Sequence, residues 1–294
     1  MTSINVGGLT FYNDGTADAN GVVRTFTDTK GWFDGAPTKT AGVDRPWGSH
    51  GAFAIRAYRG ARLITITTST HAPTRRLASD EQRALAGLLA EGSFDDFTVS
   101  DADQGVLMSS VRLEGTPLID WHHAQDIDCL LTFLAPDPLR YAAPVTQTTG
   151  FPVQSGGLEY DLYTDGSGTD TGFLEYGIAG ATGRILLTNT GNSAAWPAYA
   201  IAGPVSAEGF EILAVGSGAT IRFQGAIPAG STLLLDSAQG AETALMDGVS
   251  DRSGQVTRMD PMSVPANGSL ELAFVNLGTI TAAQMTVTIR PGSW

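Results

Sequence analysis

The sequence predicts a mainly β protein of two domains: a sandwich- or barrel-like β domain with one helix and a long arm, then an antiparallel β-sandwich. Three observations predict it. Short alternating apolar runs recur along the 294 residues. The 36 Gly and 14 Pro favour many short strands joined by turns over long helices. The segment LTFLAPDPLRYAAP (131–144) leaves a strand abruptly at Pro136 and Pro138, and a Thr-, Gly- and Gln-rich stretch follows from Thr146 to Gly157. Proline cannot donate to a sheet ladder, so this reads as a domain boundary, with domains at 1–145 and 146–294.

In the first domain, strands are expected at Leu9–Tyr12 and Val22–Phe26, and a turn with two exposure-prone aromatics at Lys30–Gly35. Residues 38–52 lack regular pattern and read as a long loop or arm. Phe53–Arg59 and Arg62–Ser69 read as strands joined by a tight hairpin turn at Gly60-Ala61. The helix is expected at 80–91, with Ser79 as N-cap, Gln82 completing a capping box, an apolar face of Leu85, Leu88 and Leu89, and Gly92 as the stop. Strands at 97–100, 105–114 and 121–134 complete the sheet.

The second domain reads as short strands at 184–190, 210–215, 219–224, 231–236, 269–276 and 285–290, separated by Gly or Pro clusters. IPAGSTLLL (227–235) and VPANGSLEL (264–272) share an apolar-Pro start, a Gly turn and an alternating strand, and read as similar corners of a sandwich.

The formal charge is −13, and residues 1–145 (12 basic, 17 acidic) and 146–294 (5 basic, 13 acidic) are both acidic. No basic stripe exists, which argues against a nucleic-acid partner. Cys129, the only cysteine, sits in an apolar strand pattern and reads as a buried, inert thiol; no internal disulfide can form. The first fifteen residues lack the features of a signal peptide, and no run of about 18 apolar residues exists to span a membrane. The expectation is a soluble chain made in a cytoplasm.

Two motifs and the order of parts resemble the distal tail proteins of long non-contractile-tailed bacteriophages. One motif is the junction Phe133, Ala135, Asp137, Pro138 and Tyr141, similar to the "DP" segment by which family members leave their N-terminal domain. The other is Thr188-Asn189-Thr190-Gly191-Asn192 followed by Trp196-Pro197-Ala198-Tyr199 and Ile201, similar to the start of the family's galectin-like C-terminal sandwich. The resemblance implies a galectin-like second domain and a structural, non-enzymatic role without cofactors. It implies a homo-hexameric ring at the virion's tail tip, assembled in the host cytoplasm, with N-terminal domains around the channel and sandwiches outside. Its implied partners are the tail tube protein, the hub or tail-associated lysin, and receptor-binding proteins. Residues 38–52 match in place the arm that embraces a neighbouring subunit. An alternative is a carbohydrate-binding or receptor-binding tail protein, motivated by the sandwich and the loop tryptophans.

Trp32, Trp47 and His50, in first-domain loops, are the expected contacts with another subunit or partner. Trp121 is expected in the core and Trp196 at the sandwich edge. His122-His123 with Asp126 and Asp128 offers metal-type ligands, three of which share a face if they lie in one strand; polar outward positions are the preferred reading. Asp165–Asp170 has calcium-type oxygens but lacks EF-hand spacing, and reads as a surface turn. Neither a Gly-x-Ser-x-Gly elbow, a phosphate-cradling Gly-x-x-x-x-Gly-Lys loop nor a dinucleotide fingerprint is present. No catalytic, metal or cofactor-binding residue is assigned.

Overall fold

A computed structural model of the protein describes residues 2–39, 43–44, 50, 52–53, 57–152, 181–238, 243–279 and 281–294. They form two compact units, one reaching Ala143 and taking in Gly292–Trp294, the other Pro144–Pro291. The sequence placed the boundary at 145/146; the last three residues, assigned by sequence to the second domain, belong with the first unit.

Unit 1 contains β1 (Ser3–Val6), β2 (Leu9–Tyr12), β3 (Val23–Lys30), β4 (Val43–Asp44), β5 (Ala52–Phe53), β6 (Arg62–His71), α1 (Arg75–Ala86), β7 (Asp95–Asp101), β8 (Gly105–Leu113), β9 (Leu118–Trp121), β10 (Asp126–Ala135) and β11 (Arg140–Tyr141). Strands β8-β7-β1-β2-β3-β6-β10 are neighbours in that order, and β10 returns to β8 through Phe133↔Leu113 and Leu134↔Arg112, closing a barrel. β9 extends it beside β10, and β11 beside β8. β6 and β10 run antiparallel over ten paired residues, each alternating buried with less buried positions. That period-two pattern turns Ile64, Ile66, Ile127, Cys129, Leu131 and Phe133 inward. Trp32, Phe97 and Phe133 form a chain of tilted rings with centroids 5.2 and 5.5 Å apart.

The helix lies five residues before its expected place. Thr74 is the N-cap and accepts from the Leu77 N–H at 3.3 Å, while Ser79 sits inside the helix. Gly87, not Gly92, ends it, its N–H donating to the Arg83 carbonyl. Leu88 and Leu89 mimic a helical face in sequence, yet belong to the following turn, from which Leu88 still enters the core.

The expected hairpin turn at Gly60-Ala61 is absent. The Gly60 N–H donates to Pro37 O at 2.7 Å, the Lys39 N–H to Tyr58 O at 2.7 Å, and β4 pairs with β5. The described residues between 37 and 60 are therefore the two limbs of a hairpin arm, and of the strand expected at Phe53–Arg59 the described Phe53, Tyr58 and Arg59 lie on its return limb rather than pairing with β6.

Unit 2 contains β12 (Val145–Gly150), β13 (Arg184–Thr188), β14 (Ala198–Ala202), β15 (Phe210–Ala214), β16 (Thr220–Phe223), β17 (Thr232–Asp236), β18 (Thr243–Met246), β19 (Ser250–Asp251), β20 (Val256–Met259), β21 (Ser269–Asn276) and β22 (Gln284–Ile289). A six-stranded sheet, β12-β22-β14-β17-β18-β19, faces a five-stranded one, β13-β21-β15-β16-β20, and every pairing is antiparallel. One apolar core joins their inner faces, with Phe274 stacked on Phe151 at 4.1 Å and edge-on to Phe210 at 5.5 Å. The two similar segments do form corners: Ile227 bridges to Val205 and Val264 to Ala195, each before a turn closed onto a proline carbonyl. The sequence read the stretch from Thr146 as part of the domain boundary, not as a strand. β12 lacks apolar alternation because its covered face carries Val145, an exposed Gln147 and a buried Thr149. The chain then re-enters unit 1 as β23 (Gly292–Ser293), paired with β11.

Candidate interaction surfaces

The junction predicted at Ala135, Asp137, Pro138 and Tyr141 is a pinned turn. Ala135 ends β10, fully buried. The Asp137 carboxylate accepts from the Leu139 N–H at 3.0 Å and from the Tyr141 hydroxyl at 2.6 Å, fixing the short step into β11. The Pro138 carbonyl accepts from Arg62 Nε at 2.9 Å.

Arg62 begins a network that sequence reading missed. Only 1% exposed, it donates through Nη1 to the carbonyls of Gly31 (2.6 Å), Trp32 (3.2 Å) and Asp34 (2.6 Å). Arg140 donates to Trp32 O at 2.8 Å and to the Trp294 carbonyl. Burial, and for Arg62 the adjacent Arg140 cation as well, hold both guanidinium groups below the usual arginine range. Two buried cations thus tie together the 31–34 turn, the junction and the C-terminal strand. The signal was there in principle: Arg62 opens β6 in the inward phase shared by Ile64 and Ile66.

The same network corrects the expectation for Trp32. It does not face a partner; it is fully buried against Phe97, with its carbonyl held by both arginines. Gly31 makes this possible. Its φ is +81°, and a Cβ there would collide with the Leu63 carbonyl, so the chain folds Trp32 sharply inward. Trp47 lies outside the described residues, and His50 is exposed. At and near the base of the arm, Phe33 is 49% and Tyr58 57% exposed, and Phe53, on the return limb, is 52% exposed.

The histidine cluster is arranged differently from a continuous strand. His122 and His123 lie in the hairpin between β9 and β10. His122 Nε2 curls back to Asp128 Oδ2 at 2.5 Å, while Asp126 pairs with His71 Nδ1 across the sheet at 2.6 Å. These are two separate exposed His–Asp pairs, and among the described residues no group of three or more such side chains is placed to hold a metal. Trp121 is half-buried beneath the Arg75 guanidinium, 3.6 Å from its ring centre. A cavity of about 530 Å³ beside the end of α1 is lined by Gly7, Leu9 and the 84–93 turn, with Glu91 its one ionisable lining residue. One of about 230 Å³ between β18 and β20 is lined by Thr243, Ala244, Ser253, Val256 and Met259, none of them ionisable at neutral pH. The Asp165–Asp170 turn lies outside the described residues.

In unit 2 the Asn-containing motif proves to be a loop pin. Asn189 is 1% exposed; its Nδ2 donates to the carbonyls of Ser193 (2.7 Å), Pro265 (3.1 Å) and Val264 (3.3 Å), and its Oδ1 accepts from the Gly191 N–H (2.9 Å). Trp196-Pro197 leads directly into β14, whose Tyr199 and Ile201 are core residues, and the Pro197 carbonyl accepts from Ser237.

A barrel bearing a hairpin arm and a two-sheet sandwich make a two-domain β architecture. It is shared with a solved protein along both chains: the SPP1 Dit (gp 19.1) protein, described as a paradigm of the hub adsorption apparatus in Gram-positive infecting phages. The identity is 13%, the TM-score 0.63, and the match covers 99% of this chain and 99% of that one. Also similar are chains of the phage P2 baseplate in its activated conformation with Ca or with Sr, at 10% identity, TM-scores of 0.49 and 0.48, and at least 97% coverage of each chain. No protein-family model matches, and no curated protein sequence matches.

Proposed function

We propose that this chain is a distal tail protein: a non-catalytic component of a bacteriophage tail tip that forms a hexameric ring. The ring joins the tail tube to the hub or tail-associated lysin and carries receptor-binding proteins, with unit 2 as a galectin-like module. The observation that carries this reading is the end-to-end fold shared with the SPP1 Dit protein, which spans both units rather than one common sandwich. Fold alone is weak warrant for function, so the supporting detail matters. The arm projects exposed aromatics, Phe53 and Tyr58, of the kind that anchor protein interfaces. The acidic balance of −13 suits a channel through which DNA slides without adhering. The carbohydrate-binding alternative has less support: Trp196, the one tryptophan of Pro144–Pro291, is half-buried and offers no open indole platform.

The test is location. Gold-labelled antibody against the chain, applied to purified particles, should mark the distal end of the tail. Label on the head, label along the tube, or none on the particle would overturn the assignment.

A further inference from the structure

The turn that follows α1 holds a leucine in a conformation that leucine rarely adopts. Leu89 has a φ of +48°, which is costly for a bulky side chain and free for Gly. Such positions cluster at binding sites, where the surrounding structure imposes them. Leu89 packs on the rim of the barrel core and also lines the cavity of about 530 Å³ beside the end of α1. Leu9, half-buried, and Leu88, 3% exposed, give that cavity an apolar floor. Its opposite wall is bare backbone at Gly7, where a Cβ would collide with the Leu88 side chain. The volume falls within the range of ligand pockets, about 300–1,000 Å³.

The charge around the cavity has one sign. Glu91 is its one ionisable lining residue. Asp95 sets a second carboxylate against the wall, its Oδ2 accepting from the Gly7 N–H at 2.7 Å. The last four carbonyls of a helix lack partners within it and carry its negative end. Ala84 supplies one of these in α1 and lines the cavity. The basic side chain of the last turn, Arg83, is turned back onto Asp80 at 3.1 Å. An apolar floor with a negative rim complements a lysine, whose four-carbon stem packs on leucine while its ammonium stays at the polar edge. A guanidinium needs a planar, bidentate partner, whereas a compact ammonium with three donors suits a single carboxylate and a helix end.

We propose that this cavity docks a lysine from an extended segment of another protein, with the stem on Leu88 and Leu89 and the ammonium at Glu91. Phe94, next in the chain to the lining residue Ser93, is 55% exposed and offers apolar surface to the residues flanking that lysine. Another copy of this chain is a poor occupant, because two chains of charge −13 repel. The contact is one side chain deep, so it is weak alone and gains strength when the partner is tethered by a second contact. This docking goes beyond the tail-tip role and does not rest on it.

The test titrates the full chain, isotope-labelled for NMR, with two synthetic pentapeptides to about 5 mM. One is acetyl-Ala-Leu-Lys-Leu-Ala-amide; the other carries norleucine, an uncharged hydrocarbon analogue, in place of the lysine. The amide signals of Gly7, Leu89 and Glu91 should shift, and the lysine peptide should bind about tenfold tighter than its analogue. Glu91→Gln should erase that preference while leaving the affinity for the norleucine peptide and the unfolding midpoint unchanged. Leu89→Gly, which accepts the positive φ and so keeps the turn, should weaken both peptides. Equal affinity for the two peptides, a preference that survives in Glu91→Gln, or no shift at these three amides would overturn the proposal. Binding of n-butylammonium as tight as that of the lysine peptide would overturn it too, by making a free amine the occupant.

Discussion

Asn189 shows how much one side chain can organise. Its amide joins the end of β13 to the loop before β14 and to the corner before β21, satisfying three carbonyls that are otherwise hard to pair. Replacing it with Ala should lower the stability of the chain by about 2–3 kcal/mol, through lost hydrogen bonds and stranded carbonyls. Denaturant unfolding checks this, and an unchanged midpoint would show the loop to be held by other means. Asp18 provides a second residue-level test. Burial would raise its carboxyl, but the N–H groups of Val22 and Asn20 and the Arg24 guanidinium outweigh burial and hold it below the usual aspartate range. A carboxyl lowered on folding stabilises above its unfolded value of 3.8 and loses that contribution as pH falls through its lower folded value. Asp18→Asn should therefore be less stable than wild type at pH 6, with the gap closing as pH falls below 3.8. A gap that stays constant with pH would contradict the cause given. Neither role was legible in the sequence as more than a motif or a turn residue, because each depends on partners brought together by the fold.

Elements were legible where a local pattern had a single interpretation. The alternation of β10 and β21 announced half-buried strands, and both are present. The helix was legible in existence but not in position, since Thr74 and Ser79 both offer a capping hydroxyl and Leu88-Leu89 extend the apparent apolar face beyond Gly87. The structure separates the two caps. Thr74→Ala should cost about 1 kcal/mol and Ser79→Ala much less, as measured by thermal unfolding. The reverse order would return the helix start to Ser79. β12 was missed for the opposite reason: its covered face holds Val145, Gln147 and Thr149, so a strand written in Thr and Gln has the composition of a domain boundary. Trp32 was misplaced because a turn flanked by Gly31 and Gly35 suggests exposure. What carries the side chain inward is the positive φ of Gly31 and the two arginine clamps, neither visible in a local window.

At the scale of the whole molecule, the two-unit division was legible from the prolines of 131–144, while the return of Gly292–Trp294 to unit 1 was not. That return includes a two-residue strand and a contact of Arg140 with the Trp294 carbonyl, and three residues are too little sequence to carry a pattern. The proposed role as a ring-forming tail-tip component requires a barrel that builds a closed ring through its arm and a sandwich that takes other partners. The most direct test of that claim is the mass of the purified full chain by light scattering, with negative-stain images of the same sample, alone and mixed with its tail tube protein. The account predicts closed rings with six-fold end-on views and a mass of six times 30.7 kDa. A single-chain mass in both samples, with no ring in the images, would contradict it.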